Sequence, residues 1–490
     1  MIARLQAVKP SYLVMTVLAV SGFTHIWNAA GFPDLFFDEG VYMRRAMHVL
    51  AGLGPQESFF HDHPFFGQIF LASVFYVVGY PASLHASPTA ESISGLYAVP
   101  RVLMGLLAIA DTYLTYKIAE ARYGVRVGLI SAMFFAVMPM TWVVRRILLD
   151  SILMPFLLTS ILLAMKSKGA RHKSLIALVS GVAMGIAIFT KIPVFAMIPL
   201  VAGLAYFGSG KSLKALALFL LPAILIPAAW PIQSLEAGQF DMWLHDVALQ
   251  AHRPTYGLPY ISGMFLRMDP VLFILGVAGA AFAISRRDTL VLMWLVPFLI
   301  LLLAVGYNQY FYWIPVLPVF CIASSLLIER LVVRNGVEVK KKALLAVVLG
   351  IGAFGLASTI ALISTDMTSS QFQAAAFVLH LVKENDNETT ILASPVYSWV
   401  FASAFHRGDV MPDYTQVLWQ PVPTRKFLLV ADEHYFIDMA RGMPVERLFN
   451  DSRTVKTFEG NAGRYDTLLY PYTSIKETYG GGHIEVREKG

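Results

Sequence analysis

The sequence predicts an all-α polytopic membrane domain of about 11 transmembrane helices with outer juxtamembrane helices, followed by a C-terminal external α/β domain. Three observations predict it. Of the 490 residues, 57% are hydrophobic, against roughly 45–50% in soluble domains, and the mean hydropathy is +0.61. Apolar runs near the ~20 residues a spanning helix needs recur from Ser11 to about Ser364. From Asp366 onward the composition becomes that of a globular domain. The chain therefore divides at residues 1–365 and 366–490, with residues 31–95 as a large first external loop.

The spans begin near Ser11, Tyr97, Val127, Ser151, Ser174, Ile192, Ala215, Pro270, Thr289, Tyr310 and Ala343. Threaded from a cytoplasmic N-terminus, they put Lys117 to Arg126, Lys166 to Lys173, Lys211 to Lys214, Arg286-Arg287 and Arg330 to Lys342 inside. Every one of these segments is basic, as the orientation rule requires. Counting Phe65 to Tyr80 as a further span would invert every later loop, so this stretch is read as a helix lying in the outer interface or re-entering partway. The first run is long and ends in aromatic residues, which marks a retained span rather than a cleaved signal. The protein is thus expected to be a multi-pass cell-membrane protein with its C-terminal domain extracytoplasmic.

In the tail, Gln371 to Lys383 and Tyr435 to Arg441 read as helices; Thr390 to Ala393, Lys426 to Val430 and Thr467 to Tyr470 read as strands. Asn387 and Asn450 open glycosylation sequons on this external part. Cys321 is the single cysteine, which excludes an intramolecular disulfide and a cysteine metal cluster. The net charge of +6 is modest, neither a P-loop nor a dinucleotide fingerprint occurs, and no nucleic-acid partner is expected.

Charge in the external loops is where chemistry is sought. Asp38 and Glu39 follow Phe36 and Phe37 at the exit of the first span, where a carboxylate is costly unless water, a partner or a ligand compensates it. They open an amphipathic helix from Val41 to Leu50, with Met43, Met47 and Leu50 on one face and Arg44 and His48 on the other. Asp38 then reads as an N-cap carboxylate, as a general base toward an attacking hydroxyl or amine, or as both. Asp150, with Arg145 and Arg146, forms either a helix-end ion-pair group or a site in which Asp150 orients a substrate or arginine while a guanidinium grips an anionic head group.

The outer side should be poor in Lys and Arg, so Arg44, Arg45, Arg101, Lys191, Arg253 and Arg267 are candidates for binding an anion. Lys191, between two apolar runs and beside Pro193, either snorkels to head groups or binds such a ligand. His61-Asp62-His63-Pro64 has metal-ligand residue types but no identifiable third ligand, and no metal site is assigned. Asp241, His245, Asp246, His252 and Arg253 form a second polar set, in which Asp241 and His245 are spaced to share a helix face.

Asp38-Glu39 after the first span, His63-Pro64 in the outer juxtamembrane segment, and Arg145 to Asp150 with Pro155 beyond it resemble the GT-C class of polytopic glycosyltransferases. Arg101 and Tyr123-Gly124 in the second span suit it too. Within that class the chain looks most like the branch of the protein mannosyltransferases and the lipid A aminoarabinose transferases. The resemblance covers roughly residues 10 to 330 in layout. It implies a polyprenyl-phosphate-linked sugar as donor, a hexose or pentose, moved to an acceptor by inverting direct displacement.

The resemblance further implies that Asp38 is the base and that Asp150, with Glu39, supplies further active-site acid. Arg44, Arg45, His63, Arg101, Arg145, Arg146, Lys191, His252, Arg253 and Arg267 are its candidate substrate-binding residues, to hold the lipid phosphate and its sugar. No cofactor is required if arginine or lysine supplies the positive charge, and a divalent metal is left open. Nucleotide sugars being cytosolic, an external site needs such a lipid carrier, and membrane lipids are the other expected partners. Phe65 stands where the mannosyltransferases have a second proline, and the large luminal insertion of the eukaryotic enzymes is absent; both argue against protein O-mannosyltransfer. The competing readings are a secondary transporter or lipid flippase, which would be expected to show a two-fold repeat not found here, and an assembly factor recruiting a partner through the tail.

Overall fold

The expected apolar runs are all helical. The structure, a computed structural model, describes residues 10–57, 60–252, 257–304, 309–333, 338–382, 388–418, 421–422, 425–432, 444–460 and 483–490. In chain order the first helices are α1 (Pro10–Ile26), α2 (Phe37–Leu50), α3 (Phe66–Val78), α4 (Ala90–Tyr123), α5 (Val125–Val137), α6 (Leu149–Lys166), α7 (Lys173–Thr190) and α8 (Ile198–Gly208). They are followed by α9 (Leu213–Leu225), α10 (Ala229–Glu236), α11 (Phe240–Ala251), α12 (Leu258–Met268), α13 (Pro270–Ser285), α14 (Thr289–Ala304), α15 (Leu317–Val333) and α16 (Glu338–Ile363). Short 3₁₀ turns at Pro139–Arg145, Ile192–Met197 and Tyr310–Val316 lead into α6, α8 and α15.

Among the described residues, six helices are long and apolar enough to cross a membrane, or up to eight if each of two bent pairs is one span. The expected count of eleven is not reached, for identifiable reasons. Ile192–Gly208 and the described part of α1, which starts at Pro10, fall in the 10–17-residue class, and α13 and α14 turn by 116° at their junction. α3 has 13 residues and stops at Gly79, which adopts the left-handed conformation (φ 66°) favoured at helix ends. At about 1.5 Å per residue it covers roughly 20 Å, short of a ~30 Å hydrocarbon core. α4 begins at Ala90, capped by the Thr89 side chain, rather than near Tyr97, so Arg101 lies well inside the helix instead of at its end.

Packing uses glycine where helices cross closely. A Cβ on Gly181 would lie 2.2 Å from the Phe219 carbonyl oxygen and one on Gly185 2.5 Å from that of Pro222, so this pair lets α7 meet the backbone of α9. Gly181→Ala must force the two helices apart. It is expected to cost about 1–3 kcal/mol, read as a lowered melting temperature in detergent.

After α16 the chain forms α17 (Ser369–Leu381), β1 (Thr389–Leu392), α18 (Pro395–Trp399), β2 (Val410–Met411), β3 (Lys426–Asp432), α19 (Pro444–Asn450), β4 (Arg453–Glu459) and β5 (His483–Lys489). The sheet order is β2-β1-β3-β5-β4. β1 runs parallel to β2 and β3, while β5 is antiparallel to β3 and β4. α17 covers one face, with Phe377 against Phe458 at 5.7 Å. The expected helix at Tyr435 to Arg441 and strand at Thr467 to Tyr470 lie outside the described residues, as does Asn387.

Candidate active site

The segment leaving α1 is built around a buried ion cluster. Glu39 is 0% exposed. Its carboxylate accepts from Arg101 Nε at 3.0 Å and Nη2 at 2.7 Å, from Arg146 Nη1 at 3.2 Å, and from the backbone N–H groups of Phe36 at 2.9 Å and Ile147 at 3.0 Å. Arg146 also pairs with Asp34 at 2.5 Å. The two guanidiniums go on to donate to the carbonyls of Ala29, Pro33 and Asp34. Burial pushes the Glu39 carboxyl upward, but the charges of Arg101 and Arg146 and the donated hydrogen bonds bring it below its ordinary value. Two carboxylates against two guanidiniums give a neutral, hydrogen-bonded unit, the condition under which buried charge is tolerated.

This placement changes three readings from the sequence. Asp38 is not the cap of α2: Phe36 is, and Glu39 at the third helical position bonds back to the Phe36 N–H, as the second half of a capping box does. Glu39 is enclosed in the ion cluster rather than facing an open site. Arg145 and Arg146 do not pair with Asp150. Arg145 instead donates to the carbonyls of Thr24 at 3.2 Å and Trp27 at 2.6 Å, satisfying the C-terminal end of α1.

Arg44 and Arg45 on α2 are also engaged. Arg44 meets Glu57 through two bonds of 2.7 and 2.9 Å, and Arg45 meets Glu57 at 3.3 Å and Asp62 at 2.6 Å. Burial raises the Glu57 carboxyl and the Arg44 and Arg45 charges more than offset it, leaving it below its ordinary value. These pairs hold Glu57 and Asp62 against α2, and the His63 ring centroid lies 6.4 Å from that of Tyr42.

Asp38 itself is half-buried, at the second position of α2. One turn on, Tyr42 is 2% exposed. Burial and then the charges of Asp38, Asp62 and Asp150 push its phenol well above the ordinary value, so it stays a neutral hydrogen-bonding group. Tyr42 therefore lies within electrostatic reach of three carboxylates, two of them remote from it in sequence. Asp150, in the first turn of α6, pairs with Lys191 at 2.5 Å. Lys191 does not snorkel: it is 2% exposed, with its ammonium 3.9 Å from the ring centre of Tyr312 and 5.1 Å from that of Phe311. Phe36 closes the wall by meeting Phe311 edge-on at 5.5 Å.

Asp150 and Lys191 are mutually dependent. Asp150→Asn and Lys191→Met combined are expected to cost about 0.5–3 kcal/mol less than the sum of the single changes, measured as a double-mutant cycle on thermal unfolding; strict additivity would show that the pair is not coupled.

The remaining candidates stand further out. Arg267 is exposed on α12, a helix anchored beside this wall by Phe265 against Trp313 at 5.5 Å. His252 is exposed at the end of α11, bonded to the Ala248 carbonyl. Arg253 lies outside the described residues. On α11, Asp246 rather than Asp241 makes the structural contact, accepting from the His61 N–H at 2.7 Å and from His245 at 3.1 Å. Among the described residues, no group of three or more His, Cys, Asp or Glu side chains is disposed to hold a metal ion. Sequence reasoning missed Asp34, Tyr42, Glu57 and Tyr312. The Tyr-Phe-Tyr-Trp run at 310–313 was the available signal for the last of these.

Residues 14–230 match the family described as dolichyl-phosphate-mannose-protein mannosyltransferase. A search of the curated proteins found no match. Among solved structures, ArnT from Cupriavidus metallidurans bound to undecaprenyl phosphate is similar with a TM-score of 0.60 at 13% identity, covering 97% of each chain. The Archaeoglobus fulgidus oligosaccharyltransferase in complex with zinc and sulfate gives a TM-score of 0.54 at 14% identity, covering 92% of this chain and 72% of that one. AglB from the same organism, in complex with an inhibitory peptide and a dolichol-phosphate, gives 0.52 at 12%, covering 88% and 70%. The resemblance read in the sequence therefore holds: the chain has the fold of the GT-C membrane glycosyltransferases.

Proposed function

We propose that this chain is a membrane glycosyltransferase that takes a sugar from a polyprenyl-phosphate donor and moves it to an acceptor on the extracytoplasmic face by inverting direct displacement. The observation that carries the reading is the buried Asp150–Lys191 pair against the ring of Tyr312 in a chain with the GT-C fold, with Asp38, Asp62 and Asp150 all within electrostatic reach of Tyr42. The matched family and ArnT support the donor class, since one is described by dolichyl-phosphate-mannose and the other binds undecaprenyl phosphate. In the threading of the sequence the basic loops fall on the side opposite these residues, which supports an outer site.

The chemistry assigns each group a task. Asp38 accepts the proton of the acceptor O–H or N–H as the acceptor atom forms its bond to the anomeric carbon. The bond from that carbon to the phosphate oxygen breaks with its electron pair, and polyprenyl phosphate departs. Lys191, steadied by Asp150, and Arg267 at the rim supply fixed positive charge where the phosphate gains its own. Tyr42 and His63 present hydrogen-bonding groups to the sugar. Attack opposite the leaving group inverts the anomeric configuration.

The test is a transfer assay in detergent with synthetic polyprenyl-phosphate sugars labelled in the sugar, using a membrane extract as the acceptor pool. Label is expected to leave the donor lipid with release of polyprenyl phosphate, and the product to show the opposite anomeric configuration. Solute transport by reconstituted protein without any movement of label would sink the enzyme reading.

A further inference from the structure

We infer that the C-terminal domain is a working part of the Asp38 mount, with Tyr97 as the positioning residue that joins it to the membrane helices; the catalytic half of this inference rests on the function proposed above. The first turn of α2 is held from two sides. On the membrane side, Glu39 is gripped by Arg101 and Arg146. On the other, the C-terminal domain touches the segment around Asp38 at three points, two of them on its backbone. The Gln371 amide on α17 accepts from the Leu35 N–H at 2.8 Å and donates to the Leu35 carbonyl at 3.3 Å, as a paired strand would. Gly40 lies against the start of α18, where a Cβ would be 2.2 Å from Val396 N and 2.3 Å from Pro395 C. Arg44 donates to the Pro412 carbonyl at 3.2 Å.

Tyr97 ties the two sides together. It sits one turn before Arg101 on α4, so the two side chains share a helix face. Its hydroxyl donates to the Val396 carbonyl at 2.6 Å and accepts from Trp399 Nε1 at 2.7 Å, and all these groups are buried. Asp432 at the end of β3 receives both Tyr397 and Gln371 at 2.9 Å, which anchors the clamp to the sheet. Asp38 is thus bracketed by fixed backbone at Leu35, Glu39 and Gly40. Its own carboxylate needs no direct contact with the domain to be aimed by it. For a reacting group, an ångström of misplacement costs on the order of 100-fold in rate, and a clamp of this design prevents that displacement.

The experiment compares Tyr97→Phe, Trp399→Phe and Gly40→Ala with wild type and with Asp38→Asn, each in the full-length protein. Two readouts are taken: kcat and donor KM per folded molecule, and amide hydrogen exchange over residues 36–42. Tyr97→Phe is expected to lower kcat roughly 10–100-fold with donor KM within about twofold, and to speed exchange in that segment. Gly40→Ala is expected to do the same by pushing α18 away. Unchanged exchange over 36–42 in Tyr97→Phe and Gly40→Ala would overturn the clamp, whatever the activity. Faster exchange with wild-type kcat would overturn its catalytic role. Absence of transfer in wild type, with the exchange difference present, would count against the proposed function while leaving the clamp standing.

Discussion

Glu39→Ala is expected to yield little folded protein. The substitution leaves the Arg101 and Arg146 guanidiniums, both about 1% exposed or less, facing the single counter-charge of Asp34. It also strips the Phe36 and Ile147 N–H groups of their acceptor. Breaking one partner out of a buried pair costs about 3–5 kcal/mol, a large share of a typical folding free energy of ~5–15 kcal/mol. Glu39→Gln keeps the shape and part of the hydrogen bonding but not the charge, and is expected to recover only part of the loss. The check is the monodisperse yield and melting temperature in detergent. A Glu39→Gln protein that melts like wild type yet transfers no sugar would return Glu39 to the catalytic role the sequence suggested.

The same residue sets a pH signature. Its folded-state value is depressed below the ordinary carboxylate value, so its stabilisation is complete above that ordinary value and is lost as pH falls through the folded-state one. Wild type should therefore lose stability on acidification below about pH 4.5. Glu39→Gln, where it folds, should show a shallower slope over that window.

What was legible in the sequence was whatever is written in periods. A span is a run of apolar residues, so α5, α6, α7, α9, α13 and α14 begin within about two residues of the expected starts, whereas α4 begins at Ala90 rather than Tyr97. Where α8 falls short, or α13 folds back on α14, the deciding features are local: a proline-led 3₁₀ turn before α8 and a left-handed Arg287 (φ 56°) after α13. The edge strand β4 was not foreseen because five of its seven residues carry polar or charged side chains (Arg453, Thr454, Lys456, Thr457 and Glu459), leaving hardly any apolar period to read.

The site was legible as a set of unusual residues and illegible as a set of pairs. Asp150 and Lys191 each stood out, but their contact spans 41 positions, and Glu39 meets Arg101 across 62. Pairing of that kind is a property of tertiary packing, with no local signal to reveal it. The cost of misreading it is specific. Arg44, Arg45, Arg101, Arg145 and Arg146 were all candidates for a ligand phosphate, and each instead has protein carboxylates or carbonyls as partners. Lys191 is engaged as well, by Asp150, but its ammonium also faces the ring of Tyr312, which keeps it the buried cation of the aromatic wall.

Asp38→Asn is expected to lower sugar transfer by about 10²–10⁴-fold while leaving the protein folded. Asn has nearly the same volume and can keep a hydrogen bond at the second position of α2, and the fold-bearing charge of this turn belongs to Glu39. What Asn lacks is a site to receive the acceptor proton. Donor binding should survive, since the proposed phosphate contacts lie on Lys191 and Arg267, so donor KM should stay near wild type while kcat falls. A loss shared equally by kcat and melting temperature would point instead to a structural task for Asp38. Robust transfer by the Asn variant would move the base to Asp62, which pairs with Arg45 and lies beside His63, or to Asp150, which pairs with Lys191, and Asp62→Asn and Asp150→Asn would then be compared in the same assay.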